Sequence, residues 1–336
     1  MVDMYEIAEI ELPERLVRAD LRAAAATLTA HEARYLVDMY YTVQENRKRS
    51  ANQVRALATA GEPNDCVQHF TRAAIKFEGD LRYALGQYAA SQPIGAWAQS
   101  ITGIGPVISA GLMAHIDIEK APTVGHIWRF AGLDPNSDWK GRVKAEAIVK
   151  EHLAKRKPTP EDVLAISQKM NGIGYEAALR HATTKSDGTP RELTAESIAS
   201  AFALRPWNAK LKTLCWKIGE SFVKVSNKPE DVYGHIYAER KIQEQDKSLQ
   251  GDYREQAEAK AATVGKNTDA YKAYSIGQLP PAHIHARAER YATKLFLAHW
   301  HHVAYESHFG TPPPKPYVIE HMGHAHYIAP PNWPMS

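Results

Sequence analysis

The stretch Ile101-Thr102-Gly103-Ile104-Gly105-Pro106 holds the residue types best suited to gripping an anion. Two glycines bracket one apolar residue, and the proline follows where a helix can start without losing a hydrogen bond. Glycine leaves backbone N–H groups bare, and a turn of such groups beside a helix N-terminus binds a phosphate oxygen without reading a base. Thr102, Gly103, Ile104, Gly105 and Ser109 are the candidate contacts of this turn, although a plain tight turn between helices shares the pattern. A second set is basic and aromatic: Arg205, Trp207, Asn208, Lys210 and Lys212. Asn208 is placed to cap a helix, the cations to hold phosphates, and Trp207 to stack on a base. The bland alternative is a capped amphipathic helix, with Leu211, Leu214, Cys215 and Ile218 inside and the lysines in solvent. Arg129, Lys140 and Arg142 are further candidates, because residues 101–135 carry a net charge of −1 and nearby cations must supply the attraction to phosphate.

Histidine is the third chemical feature. Nine of the 16 histidines follow residue 282. His321, His324 and His326 have ligand-like spacing, and His299 and His302 share a helix face. Neither a Cys pair nor a His-Glu-x-x-His signature accompanies them, and a metal site needs a complete ligand set with supporting hydrogen bonds. Histidines bonded to carbonyls, with no metal and no other cofactor, are the expectation. A nucleophile triad, a Walker loop and a dinucleotide fingerprint are all absent, so no residue set supports catalysis.

Composition narrows the classes. With 44% apolar and 24% charged residues over 336 positions, the chain can bury a sizeable core in two or three domains. A net charge of +3 is too small to mark a nucleic-acid binder in bulk, which leaves local patches to carry any such role. Cys66 and Cys215 exclude a disulfide scaffold and suit a reducing compartment. No apolar run approaches the ~20 residues of a membrane span, and the acidic start is unlike a signal peptide, so a cytoplasmic location is expected.

The elements that must position these residues read as helices. Thr29-Ala-His-Glu32 fits a capping box, and the helix it starts runs to Gly61 and Pro63. Val67, Phe70, Ala74, Phe77, Leu81, Ala84 and Tyr88 alternate by three and four, an apolar seam. Two helices with a four-residue link should fold back as an antiparallel coiled-coil hairpin, a spacer or dimerisation arm. Helical periodicity returns over 209–225, 229–245 and 282–306, while 246–270 is polar and the end is rich in proline. Gly172-Ile173-Gly174 reads as a turn joining helices. The expected fold is mainly α: a hairpin over 1–92, a helical domain over 93–306 with an insertion at about 150–203, and a Pro/His-rich tail over 307–336.

The run Gly103-Ile-Gly-Pro106, an apolar helix and Phe130-Ala-Gly-Leu-Asp-Pro135 resembles the C-terminal domain of the bridge-RNA-guided insertion-sequence transposases. Weaker likenesses follow in the same order at 207–216, 232–241 and 286–295. The resemblance implies a coiled coil, a helix-hairpin-helix and engagement of DNA. That family couples these to an N-terminal RuvC-like domain with four metal-binding carboxylates and to a catalytic serine in a Ser-Gly-Gly loop. Here the first hundred residues are helical, and Leu204-Arg-Pro-Trp-Asn208 stands at the place of the serine loop. The reading is a non-catalytic DNA-binding protein of a mobile element or phage, with RNA as the other nucleic acid and a homo-oligomer formed through the hairpin. The alternatives are a recombinase relative with nuclease activity supplied in trans or by an unrecognised site, and a coiled-coil assembly protein without nucleic acid.

Overall fold

Thr29 and Glu32 start the first long helix by satisfying each other's exposed amides. The Thr29 hydroxyl accepts from the Glu32 N–H at 3.2 Å, and the Glu32 carboxylate accepts from the Thr29 N–H at 2.8 Å. In the computed structural model, which describes residues 18–134, 139–170, 172–314 and 328–335, the protein is mainly α, with fifteen α-helices and no strand among those residues. In chain order they are α1 (Arg18–Ala26), α2 (Ala30–Ala60), α3 (Asp65–Ala90), α4 (Pro93–Ser100), α5 (Pro106–His115), α6 (Val124–Phe130), α7 (Gly141–Leu153), α8 (Pro160–Met170), α9 (Tyr175–Thr183), α10 (Ala195–Phe202), α11 (Ala209–Val225), α12 (Val232–Gln250), α13 (Arg254–Ala261), α14 (Asp269–Ser275) and α15 (Pro281–Phe309). No helix among the described residues is long and apolar enough to cross a membrane.

The helices α1 to α5 form one compact unit. In it α2 and α3 run antiparallel, and α4 and α5 pack on their base. The core there joins Ala33, Val37, Leu81, Leu85 and Tyr88 to Val107, Ala110 and Ala114 of α5. The seam between α2 and α3 differs from the expected one. Phe70 and Phe77 are 66% and 48% exposed, while Thr71 is buried and Glu78 is half-buried against α2. Glu78 accepts from Gln44 and forms an ion pair with Arg47, and the Thr71 hydroxyl back-bonds to the Val67 carbonyl at 2.8 Å. Two heptad frames share Val67, Ala74, Leu81 and Tyr88. The partner helix selects the frame whose Glu78 it can pair, while Thr71 satisfies its hydroxyl within α3.

Residues 101–104 and the helices from α6 onward group into a second unit. Its centre is α11, α12 and α15, where Phe222 stacks on Tyr233 at 4.9 Å and Phe296 meets both rings edge-on. Each such ring pair adds about 0.5–1.5 kcal/mol beyond the area it buries. Residues 141–203 build a satellite core of their own from α7 to α10, around Val149, Val163, Ile166, Ile198 and Phe202. Asp162 ties that core together: it is buried, pairs with Arg156, lies 3.0 Å from His152 and accepts from the Thr159 amide. The Arg156 guanidinium holds its carboxyl far below the ordinary aspartate value. The 246–270 stretch forms the end of α12 and α13, and Gly172–Gly174 links α8 to α9.

Candidate nucleic-acid interface

The glycine turn is closed by its apolar residues. Ile101 and Ile104 are buried, and the Ile104 amide donates to the Ile101 carbonyl at 2.9 Å. Ile104 is thus spent on the turn itself, which corrects its place among the candidate contacts. Gly103 has φ +92°, a conformation side chains rarely adopt, and a Cβ there would lie 3.2 Å from Val225. Its carbonyl accepts from the Ser221 hydroxyl at 2.6 Å, which fastens the turn to α11. Thr102 is half-buried. A Cβ at Gly105 would meet nothing within 4 Å. The first helical bond of α5 runs from Ser109 N–H to Gly105 O at 3.0 Å, so the amides of Gly105, Val107 and Ile108 have no acceptor within the helix. Ser109 is a second correction. It is fully buried and its hydroxyl donates to the Gly95 carbonyl at 3.1 Å, so it locks α5 to α4 and offers nothing to a ligand.

The basic aromatic set has a different arrangement from the one its spacing suggests. Asn208 caps α11, its side chain accepting from the Leu211 amide at 2.9 Å, while its own amide donates to the Phe130 carbonyl at 2.8 Å. That second bond seats the start of α11 on the end of α6. Gly132, at φ +67°, makes the approach possible: a Cβ there would sit 2.8 Å from Trp207 and 3.0 Å from Lys212. Lys212 Nζ lies 4.0 Å above the Trp207 ring, Arg205 lies 5.0 Å above Trp139, and the two indoles meet edge-on at 6.2 Å. Lys294 of α15 lies 4.1 Å above Trp128, whose indole N–H donates to the Lys294 carbonyl at 3.1 Å. Arg290 joins them. Partial desolvation and the facing cations Arg290 and Arg205 push the Lys212 amine below its ordinary value. Burial and Arg290 do the same to Lys294, against the opposing pull of Asp134. Burial is the main cause of both shifts and the like charges add to it, a setting that a bound anion would relieve.

Arg205 and Lys210 are exposed, Trp207 and Lys140 half-buried. Arg129 is exposed, with one guanidinium N–H 3.5 Å from the Gly172 carbonyl. Arg142 is less available, because Glu146 accepts from it at 2.7 Å one turn along α7. Sequence spacing missed Trp128, Arg290 and Lys294, which come from elements 166 positions apart in the chain and carry no joint local signal.

Two of the described histidines bond to carbonyls as expected, whereas His283 and His285 face the Tyr274 and Tyr237 hydroxyls and His302 and His308 lie beside Glu306 and Glu119. His301 bonds to the Ala121 carbonyl at 2.8 Å, and His299 lies between the Tyr233 hydroxyl at 2.7 Å and the Ile328 carbonyl at 2.8 Å. Burial lowers both pKa values, that of His299 to about 4. His321, His324 and His326 lie outside the described residues. Cys215 is buried, which raises its thiol to about 12 and leaves it unreactive.

Residues 96–154 match the model of the Transposase IS116/IS110/IS902 family. No curated protein and no solved structure matches the chain. The matched segment holds the glycine turn, α5 and α6, together with Trp128, Gly132 and Trp139 of the cationic cluster. Over this stretch the chain is similar to transposases of that family, and the segment is transposase-like.

Proposed function

We propose that the protein binds nucleic acid, DNA foremost, as a non-catalytic relative of mobile-element transposases. The observation that carries this reading is the cluster of Arg205, Lys212, Arg290 and Lys294 around Trp128, Trp139 and Trp207, partly built from the transposase-like segment. Guanidinium and ammonium groups held over indoles are set to grip phosphates. The turn at 103–105 acts as a helix-hairpin-helix clamp, in which the amides of Gly105, Val107 and Ile108 receive a phosphate oxygen. Both contacts address the backbone, so binding is weakly sequence-specific and steeply dependent on salt. Self-association through the α2–α3 hairpin is part of the proposal, since Phe70 and Phe77 are left outside its seam.

The test is a titration of duplex and single-stranded DNA across a salt series. Wild type, Lys212→Ala/Lys294→Ala and Gly105→Val are compared, each checked for an unchanged helical spectrum. The double variant should lower the slope of log K against log salt by about one per lost phosphate contact. Gly105→Val, which has open space around it, should fold normally and bind about tenfold more weakly. Wild type that fails to bind at low salt sinks the proposal and leaves the assembly role. Chelator-sensitive cleavage of the DNA would instead favour the recombinase reading.

A further inference from the structure

Beside Arg290 of the cationic cluster, α11, α12 and α15 bring together two carboxylates and one imidazole. His285 and Glu289 stand one turn apart on α15, and Glu220 approaches from α11. One ligand atom from each lies within 4.8 Å of the other two. The Tyr237 hydroxyl of α12 lies 2.7 Å from His285 Nδ1, which leaves Nε2 turned toward Glu289 Oε2 at 3.7 Å, beyond hydrogen-bond reach. Glu289 Oε1 is shut off from solvent and has no hydrogen-bond partner. Gly219 makes the room for it: a Cβ at 219 would come within 2.5 Å of that oxygen.

A carboxylate oxygen in this position calls for an explanation, because burying one without a partner is costly and native structures rarely tolerate it. The nearby charges do not supply one. Burial and the second carboxylate of Glu220 push the Glu289 acid upward, against His285 and Arg290. A tyrosine-oriented imidazole facing two carboxylates is, by contrast, the donor set and outer support of a divalent-metal site. Ligand atoms around a tetrahedral ion with ~2.1 Å bonds stand ~3.4 Å apart, so closure takes about an ångström of side-chain rotation. Glu220, about a third exposed and paired only loosely with Lys224 at 3.4 Å, is free to supply it.

We propose that Glu220, His285 and Glu289 form a binding site for one divalent transition-metal ion, Zn2+ or Mn2+. The mixed nitrogen and oxygen donors suit these ions above Ca2+ or Mg2+. His285 Nε2 and one oxygen of each carboxylate are the protein ligands, and the Glu220 side, open to solvent, leaves the remaining positions to water or another oxygen ligand. The ion clips α11 to α15 and balances the charge of the carboxylate whose Oε1 is buried without a partner. This site stands independently of nucleic-acid binding.

The experiment is calorimetric titration of the full chain, first stripped with chelator, with Zn2+ and separately with Mn2+. The visible absorption of added Co2+ reports the donor set. Wild type, Glu289→Gln, His285→Ala, Tyr237→Phe and a His321→Ala/His324→Ala/His326→Ala tail variant are compared without nucleic acid. One ion per chain is expected at this site, retained in the tail variant, lost in Glu289→Gln and His285→Ala, and weakened about tenfold in Tyr237→Phe. Glu289→Gln keeps the side-chain shape and removes an unpaired charge, so its melting temperature without metal should be no lower than wild type's. The proposal is overturned if Glu289→Gln binds as wild type does, if only the tail variant loses binding, or if wild type shows no binding at millimolar ion.

Discussion

Gly132 and Gly105 show how differently two glycines of one transposase-like segment can be used. At Gly132 the backbone is left-handed and the Trp207 ring lies where a Cβ would go; at Gly105 the space is open. Gly132→Ala should therefore destabilise the protein by about 1–3 kcal/mol, through strain and displacement of Trp207. Gly105→Ala should stay within about 0.5 kcal/mol. Urea denaturation of the two variants measures the contrast, and equal losses would mean that Trp207 does not press on Gly132. The residue scale is also where sequence reading was most mixed. Asn208 was legible as a cap because its partner is three residues away. Ile104 was not legible as an interior residue, because what buries a side chain is the packing around it and not the motif it sits in.

The hairpin makes the same point for elements. Its limits were legible: the capping box at Thr29 starts α2 and Gly61 ends it, since both signals act within one turn. Its inner face was not, because Phe70 and Phe77 satisfy an apolar spacing, yet Gln44 and Arg47 of α2 pair with Glu78 and the Thr71 hydroxyl bonds within α3, so the polar frame turns inward. If the two exposed phenylalanines serve self-association, Phe70→Asp/Phe77→Asp should reduce the wild-type oligomer to a monomer in sedimentation, with helix content unchanged. A wild type that is monomeric at high concentration would remove the hairpin from any assembly role. Glu78→Ala should behave in the opposite way, lowering stability by about 1–3 kcal/mol because it strands Arg47 and Gln44 in the seam.

At the scale of the molecule, histidine burial sets the response to acid. His299, His301 and His283 all have pKa values lowered chiefly by burial. Unfolded, each takes a proton near its ordinary value of 6.5; folded, each resists, His299 down to about 4. The unfolded chain thus binds more protons in that window, so stability is complete above about pH 6.5 and declines as the pH falls toward 4. Melting temperatures at pH 7 and pH 5 should differ measurably, and His299→Gln should shrink the difference; an unchanged difference would show that His299 is not the group responsible. The amino-acid sequence by itself determined the mainly helical fold, the starts and stops of α2 and α11, the start of α15, and the glycine turn before α5, because capping, helical periodicity and turn chemistry act over a few residues. Only the tertiary structure decided which heptad frame faces inward, which cations gather around Trp128 and Trp207, and that Glu220 meets His285 and Glu289. Those outcomes depend on helices far apart in the chain competing to cover one another's apolar faces, and no local spacing records which pair wins.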